Sequence, residues 1–162
     1  LAQFKALTYK NGQPTASLQE ALTLFPGTPR HMLLEIKLSL TVAQQQTLIA
    51  MLKGFEPQIH LTGFAPTLSS LIAIKQSNPA IDISYLAHDA KNNLSAGMSG
   101  KNVEYSQLNY LNVSTLQKSG YIVRAWTPNT INDWRLLKLA GVNAIITDKA
   151  AEYSNWVSGG CS

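Results

Sequence analysis

Met32-Leu33-Leu34-Glu35-Ile36-Lys37-Leu38 runs through Ser39-Leu40 into Thr41-Val42-Ala43-Gln44. The first seven residues are apolar apart from Glu35 and Lys37. In a strand those two charges share one face, while Leu34, Ile36 and Leu38 share the other. The last four place a hydroxyl three residues before a glutamine, the capping-box pattern that opens a helix. A strand followed closely by a capped helix is a βα unit. A carboxylate and an ammonium inside an apolar strand need each other, a metal or an anionic ligand. An ion pair across one pleat, on an edge strand or at a barrel mouth, meets that need as well as a ligand would.

The unit repeats. Strand-like runs are expected at Met32 to Leu38, Gln58 to Thr62, Ile81 to Leu86, Gln107 to Asn112, Tyr121 to Trp126 and Asn143 to Thr147. Ser17-Leu18-Gln19-Glu20 and Ser114-Thr115-Leu116-Gln117 repeat the capping-box spacing of Thr41 and Gln44. Gly54, Gly120 and Gly141 stand where a helix should stop before a strand begins. Ala87 to Glu104, with Asn92-Asn93, Gly97 and Gly100, interrupts the rhythm and is expected to be a long polar loop. Repeated βα units imply parallel strands with right-handed crossovers, hence a doubly wound sheet or a (β/α)8 barrel.

With 162 residues, 45% hydrophobic and 14% charged, the chain suits one domain with a real core rather than a disordered segment. The net charge of +4 comes from scattered lysines rather than a basic block. The expectation is a small anionic substrate and no nucleic-acid partner. Cys161 is the only cysteine, which excludes an internal disulfide and a cysteine-based metal site. No apolar run approaches the roughly 18 to 20 residues of a membrane helix, and no stretch resembles a signal peptide. Because the chain begins at Leu1 without an initiator Met, its true N-terminus is expected to lie elsewhere.

Several strand ends carry groups able to do chemistry: Glu35 and Lys37; Thr62-Gly63-Phe64; Trp126-Thr127-Pro128-Asn129; and Thr147-Asp148-Lys149. In parallel α/β folds these carboxyl ends form the active rim. Each group also has an ordinary structural role available. Asp148 is suited to a helix N-cap, Trp126 to the core, and Asn129 to ending a turn begun by Pro128.

Taken together, Glu35-Ile36-Lys37 after Leu34, Phe64, Trp126-Thr127-Pro128-Asn129 and Gly141-Val142-Asn143-Ala144-Ile145-Ile146-Thr147-Asp148 resemble the later part of the glycerophosphodiester phosphodiesterase family. Upstream, Pro14-Thr15-Ala16-Ser17-Leu18-Gln19-Glu20-Ala21-Leu22 is similar to the family's helix before its Glu-x-Lys strand. The resemblance spans nearly the whole chain. It implies a TIM (β/α)8-type barrel, here incomplete with about six of the eight βα units, and residues 1–162 as a single domain forming its C-terminal part. It further implies metal-dependent hydrolysis of glycerophosphodiesters to glycerol 3-phosphate and an alcohol. Glu35 would then be a metal ligand, Lys37 would lie near the substrate phosphate, and Trp126 would pack against the glycerol moiety. A hard oxygen ligand suits Mg²⁺ or Ca²⁺.

The chain departs from the family where its chemistry begins. The opening His-Arg-Gly, the following Glu-Asn-Thr, the Glu-x-Asp pair of further metal ligands and the His-Asp motif are absent. Gly63 and Pro128 replace a frequent Ser and Val, changes that look tolerable. Among the three histidines, His31 is expected at the surface before the Glu35 strand and His60 in the core at mid-strand. His88, although followed by Asp89, comes after the wrong strand to replace the family's second histidine. No catalytic residue is therefore assigned. The isolated chain is expected to be inactive, lacking the metal's other ligands, and to self-associate or be completed by a missing N-terminal fragment. A membrane segment upstream of Leu1 is compatible with this expectation. Two alternatives stand beside it: a non-catalytic binding or assembly module derived from the barrel, and kinship with phosphatidylinositol-type phosphodiesterases.

Overall fold

A computed structural model describes residues 2–91 and 97–161, with side chains from Phe4 onward. Six parallel strands form one sheet in the order β1-β2-β3-β4-β5-β6. They are β1 (Met32–Ile36), β2 (Ile59–Gly63), β3 (Asp82–Ala87), β4 (Gly100–Glu104), β5 (Ile122–Trp126) and β6 (Ala144–Ile146). Short helices α1 (Ala2–Lys5) and α2 (Leu18–Leu22) precede β1, joined by a turn in which Thr8 bridges Pro14. Helices α3 (Val42–Leu52), α4 (Leu68–Ser77), α5 (Tyr110–Lys118), α6 (Ile131–Ala140) and α7 (Ala150–Ser158) follow β1, β2, β4, β5 and β6. The repeating strand–helix order with every strand parallel is a TIM-type barrel in which six units are present.

Local chemistry sets these limits. Thr41 and Gln44 cap α3 reciprocally, the Gln44 side chain accepting from Thr41 N at 2.9 Å. Ser17 and Glu20 do the same for α2. Gly141, at φ 84°, ends α6 in the left-handed conformation that glycine adopts without a Cβ clash.

Three expectations are corrected. The stretch Gln107 to Asn112 is not a strand, because Asn109 and Asn112 exchange side-chain-to-backbone hydrogen bonds of 3.0 Å that start α5. The helix therefore begins before Ser114, which lies inside it. The missing strand is β4, within the segment expected to be loop. Its inward side chains are Asn102 and Glu104 and one of its outward ones is Lys101, so no apolar run marks it. Asn92 and Asn93 lie outside the described residues.

Alternate residues of the strands divide between two faces. Ile36, Ile59, Leu61 and Ile83 pack outward with Leu52 of α3 and Leu71 and Ile74 of α4. A second cluster joins Val123 to Val113, Leu116 and Ala140 under α5 and α6. On the inner face the register aligns Glu35, Thr62, Ser84 and Gly100 in one row, and Leu86, Asn102, Arg124 and Ala144 in the next. The sheet curls strongly enough for Asn102 Nδ2 on β4 to reach Thr62 Oγ1 on β2, at 2.7 Å, past β3. One cavity is lined by residues of both β1 and β6, the two ends of the sheet.

Candidate active site

That cavity, of about 480 Å³, opens at the carboxyl ends of the strands and is lined by Glu35, Thr62, Leu86, Trp126, Thr127 and Thr147 among others. Glu35 is the last inward residue of β1. Its Oε2 accepts a 2.8 Å hydrogen bond from Lys37 Nζ, just beyond the strand. The carboxylate is one-third exposed and the ammonium three-quarters exposed. An ion pair this open contributes at most about 1 kcal/mol to stability. Its partners are therefore free to exchange each other for a ligand at small cost.

Trp126 ends β5 on the inner face. Its Nε1 donates to the Asn102 carbonyl at 3.1 Å, which fixes the indole plane at the cavity wall. Beneath the cavity lies a closed polar layer that the sequence pattern did not signal. Asn102 Nδ2 donates to Thr62 Oγ1 and to Ser84 Oγ, the latter at 3.1 Å, and its Oδ1 faces Arg124 Nη1 at 3.4 Å. Gly100 makes room for that guanidinium, since a Cβ there would stand 3.0 Å from Arg124 Nη1. Burial lowers the Arg124 pKa, an effect that Asp82 opposes. The group nevertheless remains a cation under the site. Counting back by two from Trp126 finds Arg124 on the same face; nothing comparable points to Asn102.

The histidines separate. His31 is exposed, as expected; His60, expected in the core at mid-strand, is only partly buried near the start of β2, and the two meet at the amino end of the strands. There His31 Nδ1 lies 3.0 Å from His60 Nε2 with the rings stacked. Neither lines the cavity that holds Glu35. His88, at the carboxyl end of β3, lies instead at the rim, its ring against the edge of Trp126 with centroids 5.3 Å apart. The structure thus brings Glu35 and Trp126 to one cavity, with Lys37 paired to Glu35, and sets His88 against Trp126 in the wall of a neighbouring one.

Asp148 does not cap α7, whose N-cap is Lys149. Its Oδ2 accepts from Asn129 Nδ2 at 2.9 Å instead, because the loops after β5 and β6 run side by side. Gly63 turns outward, where a Cβ would collide with Thr67 Oγ1. Among the described residues no group of three or more His, Cys, Asp and Glu side chains is placed to hold a metal ion. Glu35 is the one carboxylate among the cavity's lining residues. A hard cation, which takes six or more oxygen ligands, does not fit these residues alone.

A parallel barrel with its polar groups collected on the carboxyl rim is the architecture of TIM-barrel enzymes. Residues 40–152 match the model of the glycerophosphoryl diester phosphodiesterase family, and the chain belongs to that family. No curated protein matches it in sequence. Among solved structures, a protein from Galdieria sulphuraria assigned as a glycerophosphodiester phosphodiesterase superposes with a TM-score of 0.86 at 19% identity, covering 98% of this chain and 70% of its own. A glycerophosphodiester phosphodiesterase from Parabacteroides distasonis gives 0.79 at 18% identity, covering 99% and 71%. A phosphodiesterase from Oleispira antarctica, solved in complex with the product sn-glycerol-3-phosphate, gives 0.74 at 21% identity, covering 97% and 70%. These likenesses establish the fold. Among the described residues no helix is long and apolar enough to cross a membrane.

Proposed function

We propose that the chain supplies the phosphate- and glycerol-binding side of a glycerophosphodiester phosphodiesterase site, hydrolysing the diester to glycerol 3-phosphate and an alcohol once the barrel is complete. The observation that carries this is one cavity lined by both Glu35 and Trp126, with Lys37 paired to Glu35 at its rim. The product-bound structure of a similar phosphodiesterase supports the same substrate class.

Each residue has a task suited to its chemistry. Lys37 turns its ammonium from Glu35 to a phosphate oxygen, exchanging one ion pair for another. Trp126 offers a flat apolar face to the carbon skeleton of the glycerol moiety, its N–H being already engaged with Asn102. Arg124, buried in the polar layer below, adds positive potential that favours a dianionic product over a neutral competitor. Glu35 would hold a divalent cation such as Mg²⁺ or Ca²⁺ through one oxygen, and the cation would need further ligands beyond those described. A divalent cation, when bound, offsets charge on the phosphoryl oxygens.

Completion follows from the open sheet. Among the described residues β1 and β6 each pair on one side only, and parallel edges left open favour pairing with further strands. Two more βα units, or a second copy of this chain, would close the barrel. The isolated chain is expected to be inactive. The absence of a three-ligand metal group among the described residues also favours a second reading, a binding module without chemistry. A glycerophosphodiester hydrolysis assay on the chain, alone and in its completed barrel, separates the two. Release of glycerol 3-phosphate that disappears in Glu35→Gln supports the enzyme, and binding without release in both forms supports the module.

A further inference from the structure

α5 and α6 lie side by side on the outside of the barrel, because they follow β4 and β5, neighbouring strands that are paired on both sides. Closing the barrel between β1 and β6 leaves them where they are. The outer face of such a helix ordinarily carries polar residues, since only the stripe turned to the sheet is buried. Here it does not. Leu136 is 65% exposed, Leu139 73% and Tyr110 72%, and with Tyr105 and Leu108 they line a groove of about 470 Å³ between the two helices. An apolar groove at Leu34, Leu40 and Leu48, by contrast, runs beside the edge strand β1, where the rest of the barrel belongs.

The buried stripe of α6 fixes what the helix presents. Trp134, Leu137 and Ala140 turn inward, and Trp134 Nε1 donates to the Pro128 carbonyl at 2.9 Å. At about 3.6 residues per turn, Ile131, Arg135, Leu136, Lys138 and Leu139 then share the outer half, and all five are exposed. Two cations thus stand among three aliphatic side chains. Among the described residues neither Arg135 nor Lys138 pairs with a carboxylate. Asp133, the one carboxylate lining the groove, is engaged within the α6 cap, where it accepts from Thr130 Oγ1 at 2.7 Å. α5 has no acidic residue and ends on Lys118. The surface is apolar and positive at once.

Those two properties decide the occupant. A second copy docked by twofold symmetry would set Arg135 and Lys138 against their own kind, with no carboxylate in exchange. An anionic bilayer offers both complements: phosphate head groups for the cations and the acyl boundary for the leucines, with tyrosine suited to the level between. We propose that α5 and α6 form a docking surface for anionic phospholipid membranes, on which the barrel lies without crossing. The surface reaches the carboxyl-end rim, since Tyr105 and Tyr110 follow directly on β4. It is independent of the hydrolytic function and stands or falls separately from it.

Vesicle co-sedimentation of the 162-residue chain tests this without turnover. Binding to phosphatidylcholine vesicles containing about 30% phosphatidylglycerol should exceed binding to pure phosphatidylcholine by at least about tenfold and should fall steeply with added salt. Arg135→Glu combined with Lys138→Glu should weaken binding by at least about 20-fold. Leu136→Ser combined with Leu139→Ser should weaken it by at least about tenfold. All four positions are exposed, so circular dichroism and Tm should match those of the unmodified chain. Should the serine form lose Tm, the charge-reversed form decides, because it removes no apolar contact. Equal binding to the two kinds of vesicle, binding to neither, or binding that both double variants retain overturns the proposal. A dimer in sedimentation equilibrium that the serine form dissolves, with no vesicle binding, overturns it in favour of a second copy.

Discussion

Asn129 and Asp148 clasp the loops that follow β5 and β6. Asn129 Nδ2 donates to Asp148 Oδ2 at 2.9 Å, and Asn129 Oδ1 accepts from the Asp148 backbone N–H at 3.0 Å and from Thr147 Oγ1 at 2.8 Å. One amide side chain thus joins the Trp126–Asn129 and Thr147–Asp148 segments, both of which border the cavity. Thr147 joins the clasp and lines the cavity too, together with Trp126 and Thr127.

Removing the clasp should loosen the rim more than the fold. Asn129 and Asp148 are both exposed, so Asn129→Ala should cost only about 0.5–1.5 kcal/mol in unfolding free energy. KM for the glycerophosphodiester should rise severalfold while the completed barrel keeps its unfolding cooperativity. Hydrogen exchange checks the mechanism independently: amides of residues 127–149 should lose protection, and those of β2 and β3 should not.

Glu35→Gln is the sharpest test of the site. The amide keeps the size of the side chain and its place beside Lys37, but it removes the charge that would bind a cation. Turnover in the completed barrel should fall by at least about 100-fold, with a change in Tm of only a few degrees, because the ion pair lost is an exposed one. Retained turnover with metal still bound would remove Glu35 from the site.

How much of this was legible depended on what each strand turns inward. β1, β2, β3, β5 and β6 carry apolar residues on at least one face, and each appeared in the sequence close to its observed limits. β4 places Asn102 in the polar layer and Lys101 against the loop of Asp89 and Lys91, so its pattern looked like loop. The fold was recoverable all the same, because caps and glycine stops fixed the helices between strands. The rim groups Glu35, Lys37 and Trp126 could be named from motifs. The contacts of His88 with Glu104 and Trp126 could not, since only the curl of the sheet brings the three together. The clasp of Asn129 to Asp148 was likewise hidden, because each residue alone fits an ordinary turn or cap.

Gly100 is predicted to be intolerant of any side chain. A Cβ there would lie 2.6 Å from the Ile122 carbonyl oxygen as well as near the Arg124 guanidinium. The carbonyl belongs to the neighbouring strand and cannot swing aside. Gly100→Ala should destabilise the chain by about 1–3 kcal/mol, seen as a lower urea midpoint. Gly120→Ala, at a position with nothing within 4 Å but with φ at 86°, should be affected through backbone strain instead. Only Gly100→Ala should disturb the Asn102 and Arg124 side-chain resonances.

His60 makes the fold sensitive to mild acid. Burial lowers its pKa from the ordinary value of 6.5, the neighbouring Arg124 and His31 lower it further, and Asp82 opposes them. Its Nδ1 is buried without a hydrogen bond, 3.4 Å from Asp82 Oδ2. The unfolded chain therefore binds the His60 proton more tightly than the folded chain does. Linkage then requires stability to rise with pH through this window. The full contribution is present above about pH 6.5 and is lost as pH falls towards the lowered folded value. Tm should accordingly drop between pH 7.5 and pH 5. His60→Gln cannot take up the proton, so the drop should shrink in that variant even if its Tm at pH 7.5 is lower. An unchanged pH dependence in His60→Gln would assign the acid sensitivity to other groups.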